Sequence, residues 1–273
     1  MIVTLIDNGS LEPAAHQNLR RAAAALSALA RVPVQALSWK HSDRIPATDL
    51  GGTPAWTLLP WVRAQLAAGE HEFVFVPFFV SAQGAIGSAL RRDLKSLQHE
   101  AYDFAFTFTE GIAQRDGLTG IMVDRIRETI AARGLQRPNV IVVDHGGPSP
   151  DSAALRDSIA AGARRQLGAE IGQVAAASME GMEYTHNAPL LADLLAMPGF
   201  DRGDVVLALL FLAPGRHAGI GGDLVQIARV AETRRPGLRC HLTELLGTHP
   251  LVVESLAHAL RTTLASLEDS TAA

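Results

Sequence analysis

Two stretches of this chain end alike. Ile2-Val-Thr-Leu-Ile-Asp-Asn-Gly-Ser10 and Val140-Ile-Val-Val-Asp-His-Gly-Gly147 are both apolar runs closed by aspartate, a polar residue and glycine. The likeness continues downstream, where Pro77-Phe-Phe-Val80 answers Leu209-Leu-Phe-Leu212 and Ala85-Ile-Gly-Ser88 answers Gly219-Ile-Gly-Gly222. The period is close to 135 residues, too long for a solenoid repeat and right for a duplicated domain. This duplication is the tightest constraint on the fold, because whatever one half forms the other must form as well.

What each half forms follows from its periodicity. Short β-like runs alternate with helical patterns, the signature of βα units and a parallel sheet. In the first half the expected strands are 2–6, 34–38, 73–79 and 104–109, with helices over 13–30, 56–68, 86–97 and 118–133. The second half repeats the order with strands 140–143, 174–178, 205–212 and 239–243 and helices 152–167, 188–197, 221–234 and 251–266. The expected fold class is α/β: two tandem homologous domains, 1–134 and 139–273, each a mostly parallel sheet flanked by helices. Phe73, Phe75, Phe78 and Phe79 read as core, and Trp56 and Trp61 as packing residues of one helix.

The halves differ where chemistry would sit. His145 closes one apolar run, and His217 closes another, Leu207-Ala-Leu-Leu-Phe-Leu-Ala-Pro-Gly-Arg-His217. If both runs are parallel strands, both imidazoles reach the carboxyl edge of the sheet, where open α/β sheets bind ligands. Two histidines at one edge suit a metal ion or a proton-transfer pair. Glu180, two residues past the strand 174–178, is placed to join them, with Glu183 as competitor and His186 as a further candidate from the same loop. In the first half Asn8 replaces His145, Lys40 stands opposite Glu180, and the loop 81–85 has no histidine answering His217. All three candidates are missing together, so the second half reads as functional and the first as scaffold.

Around His217, Gly215, Gly219, Gly221 and Gly222 either let backbone approach a ligand or shape a tight turn. Arg216 is the charge available to an anionic group there, and Asp223 is a favourable first-turn charge on the helix that follows. The glycines fit neither the dinucleotide fingerprint nor the phosphate-binding P-loop, and no Gly-x-Ser-x-Gly elbow supports a hydrolase. A net charge of −4 and a pI near 6.2 give no reason to expect nucleic acid. One cysteine, Cys240, rules out an internal disulfide and a cysteine zinc cluster, and reads as a packed strand residue. With no leader-like segment and no apolar run long enough for a bilayer, the expected location is the cytoplasm, away from membranes.

These residues resemble the class II tetrapyrrole chelatases, the sirohydrochlorin cobaltochelatase/ferrochelatase (CbiX-type) family. Asp144-His-Gly-Gly147 is similar to the family's strand-ending His-Gly-Ser motif. Phe211-Leu-Ala-Pro-Gly-Arg-His217, with Asp223 beyond, looks like its Phe-Leu-x-x-Gly-x-His motif, and Leu246-Gly-Thr-His-Pro250 its closing turn. The resemblance is clear over 139–266 and degenerate over 1–134. Gly147 departs from the usual serine.

The resemblance implies a lyase that inserts Co2+ or Fe2+ into the polycarboxylate sirohydrochlorin, for cobalamin or sirohaem biosynthesis, with no organic cofactor. His145, His217 and Glu180 would then hold the metal and accept the two pyrrole protons. Gly146, Gly147, Gly215, Arg216 and Gly219 would line the substrate, in a cleft between facing domains. The competing reading is a non-catalytic tetrapyrrole carrier or metal-delivery protein. Because one chain holds both halves a monomer is expected, with a homodimer open.

Overall fold

The computed structural model describes residues 1–80, 85–100, 103–112 and 117–272. Among these, eight strands form two four-stranded parallel sheets. The first contains β1 (Ile2–Asp7), β2 (Val34–Ser38), β3 (Glu72–Pro77) and β4 (Ala105–Phe108) in the order β2-β1-β3-β4. The second contains β5 (Asn139–Asp144), β6 (Val174–Ser178), β7 (Gly203–Leu209) and β8 (Leu238–Leu242) in the order β6-β5-β7-β8. The register repeats too, pairing Asp7 with Ser38 and Asp144 with Ser178. The α/β class and the duplication expected from the sequence are both present.

Helices α1 (Pro13–Ala30), α2 (Leu58–Ala67), α3 (Ala85–His99) and α4 (Gly117–Arg133) follow the first four strands. Helices α5 (Pro150–Leu167), α6 (Leu191–Leu194), α7 (Asp223–Arg234) and α8 (Pro250–Ala272) follow the second four. Both α1 and α5 open on proline, whose fixed φ and missing N–H suit the first helical turn. Helices cover both faces of each sheet, so the central strands are buried on both sides and unbroken in hydrophobicity: Val140, Ile141, Val142 and Val143 are wholly buried. Phe73, Phe75, Phe78 and Phe79 are core as expected, and Trp61 packs edge-on against Phe73.

Three expectations shift. The helix over 188–197 shrinks to the four residues of α6, because Pro189 and Pro198 bracket the segment and neither continues a helix. Trp56 precedes α2 and is exposed, so it does not pack beside Trp61. Strand β7 stops at Leu209, which leaves His217 on a loop rather than at a strand end.

The compact units do not follow the sequence repeat. One comprises Met1–Arg115 with Pro250–Ala273, the other Asp116–His249. Helix α8 packs along α1, and Arg261 donates to the Leu29 carbonyl (3.1 Å). Helix α4 packs on α5, where a Cβ on Gly162 would come within 2.5 Å of Thr119 Cγ2, so a glycine is needed for that approach. Helix α4 also packs against β7, within the second unit. The boundary expected at 134–139 therefore marks the repeat, whereas packing changes hands before α4 and again before α8. Among the described residues no helix is long and apolar enough to cross a membrane.

Candidate active site

The candidate residues gather at the carboxyl edge of the second sheet. Just past β5 the chain turns at Gly146 (φ +84°), and backbone from beyond β6 presses against it. The Met179 N–H donates to the Asp144 carbonyl (2.9 Å) and the Glu180 N–H to the His145 carbonyl (3.1 Å). A Cβ on Gly146 would stand 2.0 Å from the Glu180 carbonyl oxygen. The sequence reading took Gly146 as a substrate-lining residue; its visible duty is to let these two strand extensions meet. That meeting brings His145 Nε2 to 3.5 Å from Glu180 Oε1, both side chains about half exposed at 48% and 56%.

His217 arrives from the loop after β7. Its ring lies edge-on to that of His145, with centroids 4.5 Å apart and planes at 88°. The loop folds on itself: the Gly219 N–H donates to the Gly215 carbonyl (2.8 Å), and a Cβ on Gly219 would meet that same oxygen at 2.6 Å. Gly222 is hemmed in by the carbonyls of Arg216, His217 and Gly219. These glycines shape the turn. Gly147 is different, with open space where a side chain would go. Arg216 is exposed and lies 3.6 Å from Asp223.

Both imidazoles are held by the nitrogen they do not need. His217 donates from Nδ1 to Asp223 Oδ2 at 2.7 Å, and His145 donates from Nδ1 to the Gly146 carbonyl at 2.9 Å. A ring held through Nδ1 presents Nε2 outward, the arrangement by which proteins orient metal-binding and proton-accepting histidines. Asp223 was read from sequence as a helix-start charge, and its grip on His217 was missed. The available signal was its place in the motif, six residues past the histidine. Among the described residues no group of three or more histidine, cysteine, aspartate or glutamate side chains is placed to hold a metal ion. His145, Glu180 and His217 are neighbours, but they form an open edge rather than a cage.

Other candidates fall elsewhere. His186 faces the Gly147 carbonyl through Nε2 (2.8 Å) and stacks on Tyr184, so it props the loop instead of joining the pair. Glu183 is exposed on the same loop. His249 is buried in its turn, with Nε2 3.7 Å from Asp124. Cys240 is partly buried, and burial pushes its thiol up to about 12.

The first unit repeats the frame with different side chains. Gly9 (φ +85°) repeats Gly146, with Trp39 N–H on the Asp7 carbonyl (2.8 Å) and Lys40 N–H on the Asn8 carbonyl (3.2 Å). Asn8 and Lys40 occupy the places of His145 and Glu180, as the sequence reading has it, and Ala89 takes that of Asp223. The loop 81–84, where the counterpart of His217 would fall, lies outside the described residues.

Burial raises the Asp7 carboxyl from its ordinary 3.8 to about 6, against hydrogen bonds from Ser38 and the Gly9 N–H, and lowers His16 to about 4, with Arg20 assisting. The folded chain thus keeps a proton on Asp7 that the unfolded chain releases, so this term is full below pH 3.8 and is lost as pH rises through about 6. His16 runs oppositely: its term is present above pH 6.5 and lost as pH falls towards about 4. Asp7→Asn should therefore match wild type near pH 4 and exceed it at pH 7, by a margin on the order of 1–3 kcal/mol. Urea unfolding across that range is the check, and a margin that shrinks as pH rises would contradict the assignment.

Residues 139–263 match the CbiX family model, which bears out the resemblance over that span. Over the whole chain the fold is similar to that of SirB from Bacillus subtilis with Fe3+. The TM-score is 0.65 at 16% identity, covering 98% of this chain and 97% of that one. SirB from Bacillus subtilis subspecies spizizenii in complex with cobalt gives 0.62 at 15% identity, with the same coverage of both chains. CbiX, described as the terminal enzyme for biosynthesis of siroheme in denitrifying bacteria, gives 0.59 at 17% identity, covering 96% of this chain and 97% of that one. At these identities the likeness is one of fold. A search of curated proteins by sequence returned no match.

Proposed function

We propose that this chain inserts a divalent metal, cobalt or iron, into sirohydrochlorin, using the carboxyl edge of its second sheet. The observation that carries the reading is the pair of imidazoles, 4.5 Å apart, each anchored through Nδ1. The CbiX match over this half supports it, as do the iron and cobalt bound by SirB, a protein of the same fold.

Metal insertion needs a cation delivered with few ligands and two pyrrole protons removed. Nε2 of His145 and of His217 supply either service, and Glu180, 3.5 Å from His145, passes protons to solvent or completes the metal's shell. An open edge suits a metal that is handed over, since a saturated shell would retain it. Arg216 and the open face of Gly147 are where substrate carboxylates would be received. The metal is substrate here, and no organic cofactor takes part.

The test is anaerobic absorbance of sirohydrochlorin mixed with protein and cobalt(II), then iron(II). Multiple turnovers above the spontaneous rate are expected, and the faster metal is the preferred one. Pigment binding without acceleration would leave a carrier, and neither binding nor turnover would overturn the reading altogether.

A further inference from the structure

Helix α5 buries a full guanidinium beneath the site. Arg156 is 1% exposed, the bulkiest of the wholly buried side chains among the described residues. Its Nη1 lies 3.5 Å from Asp144 Oδ1 and donates to Ser178 Oγ, its Nη2 donates to the His186 carbonyl (3.2 Å), and Nε bonds Asp157 (2.9 Å). Ser178 closes the circuit by donating to Asp144 Oδ1 (2.6 Å). Three segments are thus tied to one planar group: the end of β5 that leads into His145, the end of β6 that leads into Glu180, and the loop whose His186 and Asn187 both reach the Gly147 carbonyl.

The first unit shows what the fold does without it. Counting from the helix-opening prolines, Leu19 of α1 stands where α5 has Arg156, and His16 stands where it has Ala153. Leu19 is wholly buried, Asp7 and Ser38 keep their register, and His16 Nδ1 comes to 3.4 Å from Ser38 Oγ. The β-strand ends still meet, so the frame itself needs no arginine. The unit without an arginine at this place also has Asn8 and Lys40 where the second has His145 and Glu180. A buried guanidinium costs several kcal/mol of desolvation that only well-made bonds offset, so it is a poor choice for stability alone.

From this we infer that Arg156 is a positioning residue that fixes His145 and Glu180 relative to His217. The inference rests on the reading that this histidine pair handles the metal.

The experiment compares Arg156→Leu, the double variant Ala153→His/Arg156→Leu that copies the first unit, and Val142→Ala as a control that only loosens the buried centre of β5. Cobalt(II) affinity is read from its visible absorption, stability from thermal unfolding, and the ring contact from the His145 and His217 imidazole resonances without metal. Both arginine variants should fold, weaken cobalt binding by about 10–100-fold, as lost support of ligands does, and shift the His145 resonances. Val142→Ala should lower the unfolding midpoint and leave affinity and resonances alone. Unchanged affinity and resonances in the arginine variants would overturn the inference, as would parallel losses in Val142→Ala. If wild type binds no cobalt, the metal reading fails, while the resonances still decide whether Arg156 sets the ring positions.

Discussion

Replacing His217 by alanine is expected to slow metal insertion into sirohydrochlorin by about 10²–10⁴-fold, the range spanned by loss of a positioned acid–base group. His145→Ala should fall in the same range, because the rings touch and each offers one Nε2. Asp223→Asn keeps the His217 ring but weakens the 2.7 Å bond that fixes its tautomer, so its loss should be smaller, about 10–100-fold. Asn8→Ala is the informative comparison. Asn8 holds the same backbone position in the first unit, and its replacement should leave the rate unchanged. Initial rates from the appearance of the metallated pigment measure all four. A His217→Ala enzyme as fast as wild type would remove the pair from the chemistry. An Asn8→Ala enzyme as slow as His145→Ala would mean that the first unit is more than scaffold.

The duplication, the α/β class and the convergence of His145, His217 and Glu180 were legible because they depend on local pattern. Apolar runs ending in polar residues become parallel strands, and a parallel sheet collects those ends at one edge. The support beneath the site was not read, though a trace of it was present. Ala153, Arg156, Ile159, Ala160, Ala163 and Leu167 form the buried stripe of α5, so Arg156 is a charge inside an apolar period. Next to Asp157 it passes for a surface pair. Its other partners come from the ends of two strands and from the loop carrying His186, which the pattern of one helix does not show. The exchange of α4 and α8 between packing units was hidden for a related reason. Periodicity tells a helix which of its faces to bury and says nothing about which neighbour will cover it.

A matched pair of glycine variants separates frame from chemistry. A Cβ on Gly9 would stand 1.7 Å from the Lys40 carbonyl oxygen, and a Cβ on Gly146 would stand 2.0 Å from that of Glu180. Both positions also have φ near +85°, which side chains rarely adopt. Gly9→Ala and Gly146→Ala should each cost at least about 1–3 kcal/mol, because strained backbone and overlap with a fixed carbonyl must both be relieved. The three tryptophans, Trp39, Trp56 and Trp61, all lie in the first unit, so tryptophan fluorescence follows Gly9→Ala directly. Circular dichroism follows both variants. The functional consequences should diverge. Moving the Glu180 carbonyl pulls the His145 and Glu180 backbones apart, so Gly146→Ala should lose metal insertion even where it remains folded. Gly9→Ala disturbs only Asn8 and Lys40 and should keep the wild-type rate below its unfolding midpoint. Equal loss of activity in the two would show that both sheet edges act together, and equal retention would show that the approach of Glu180 to His145 is not what the reaction needs.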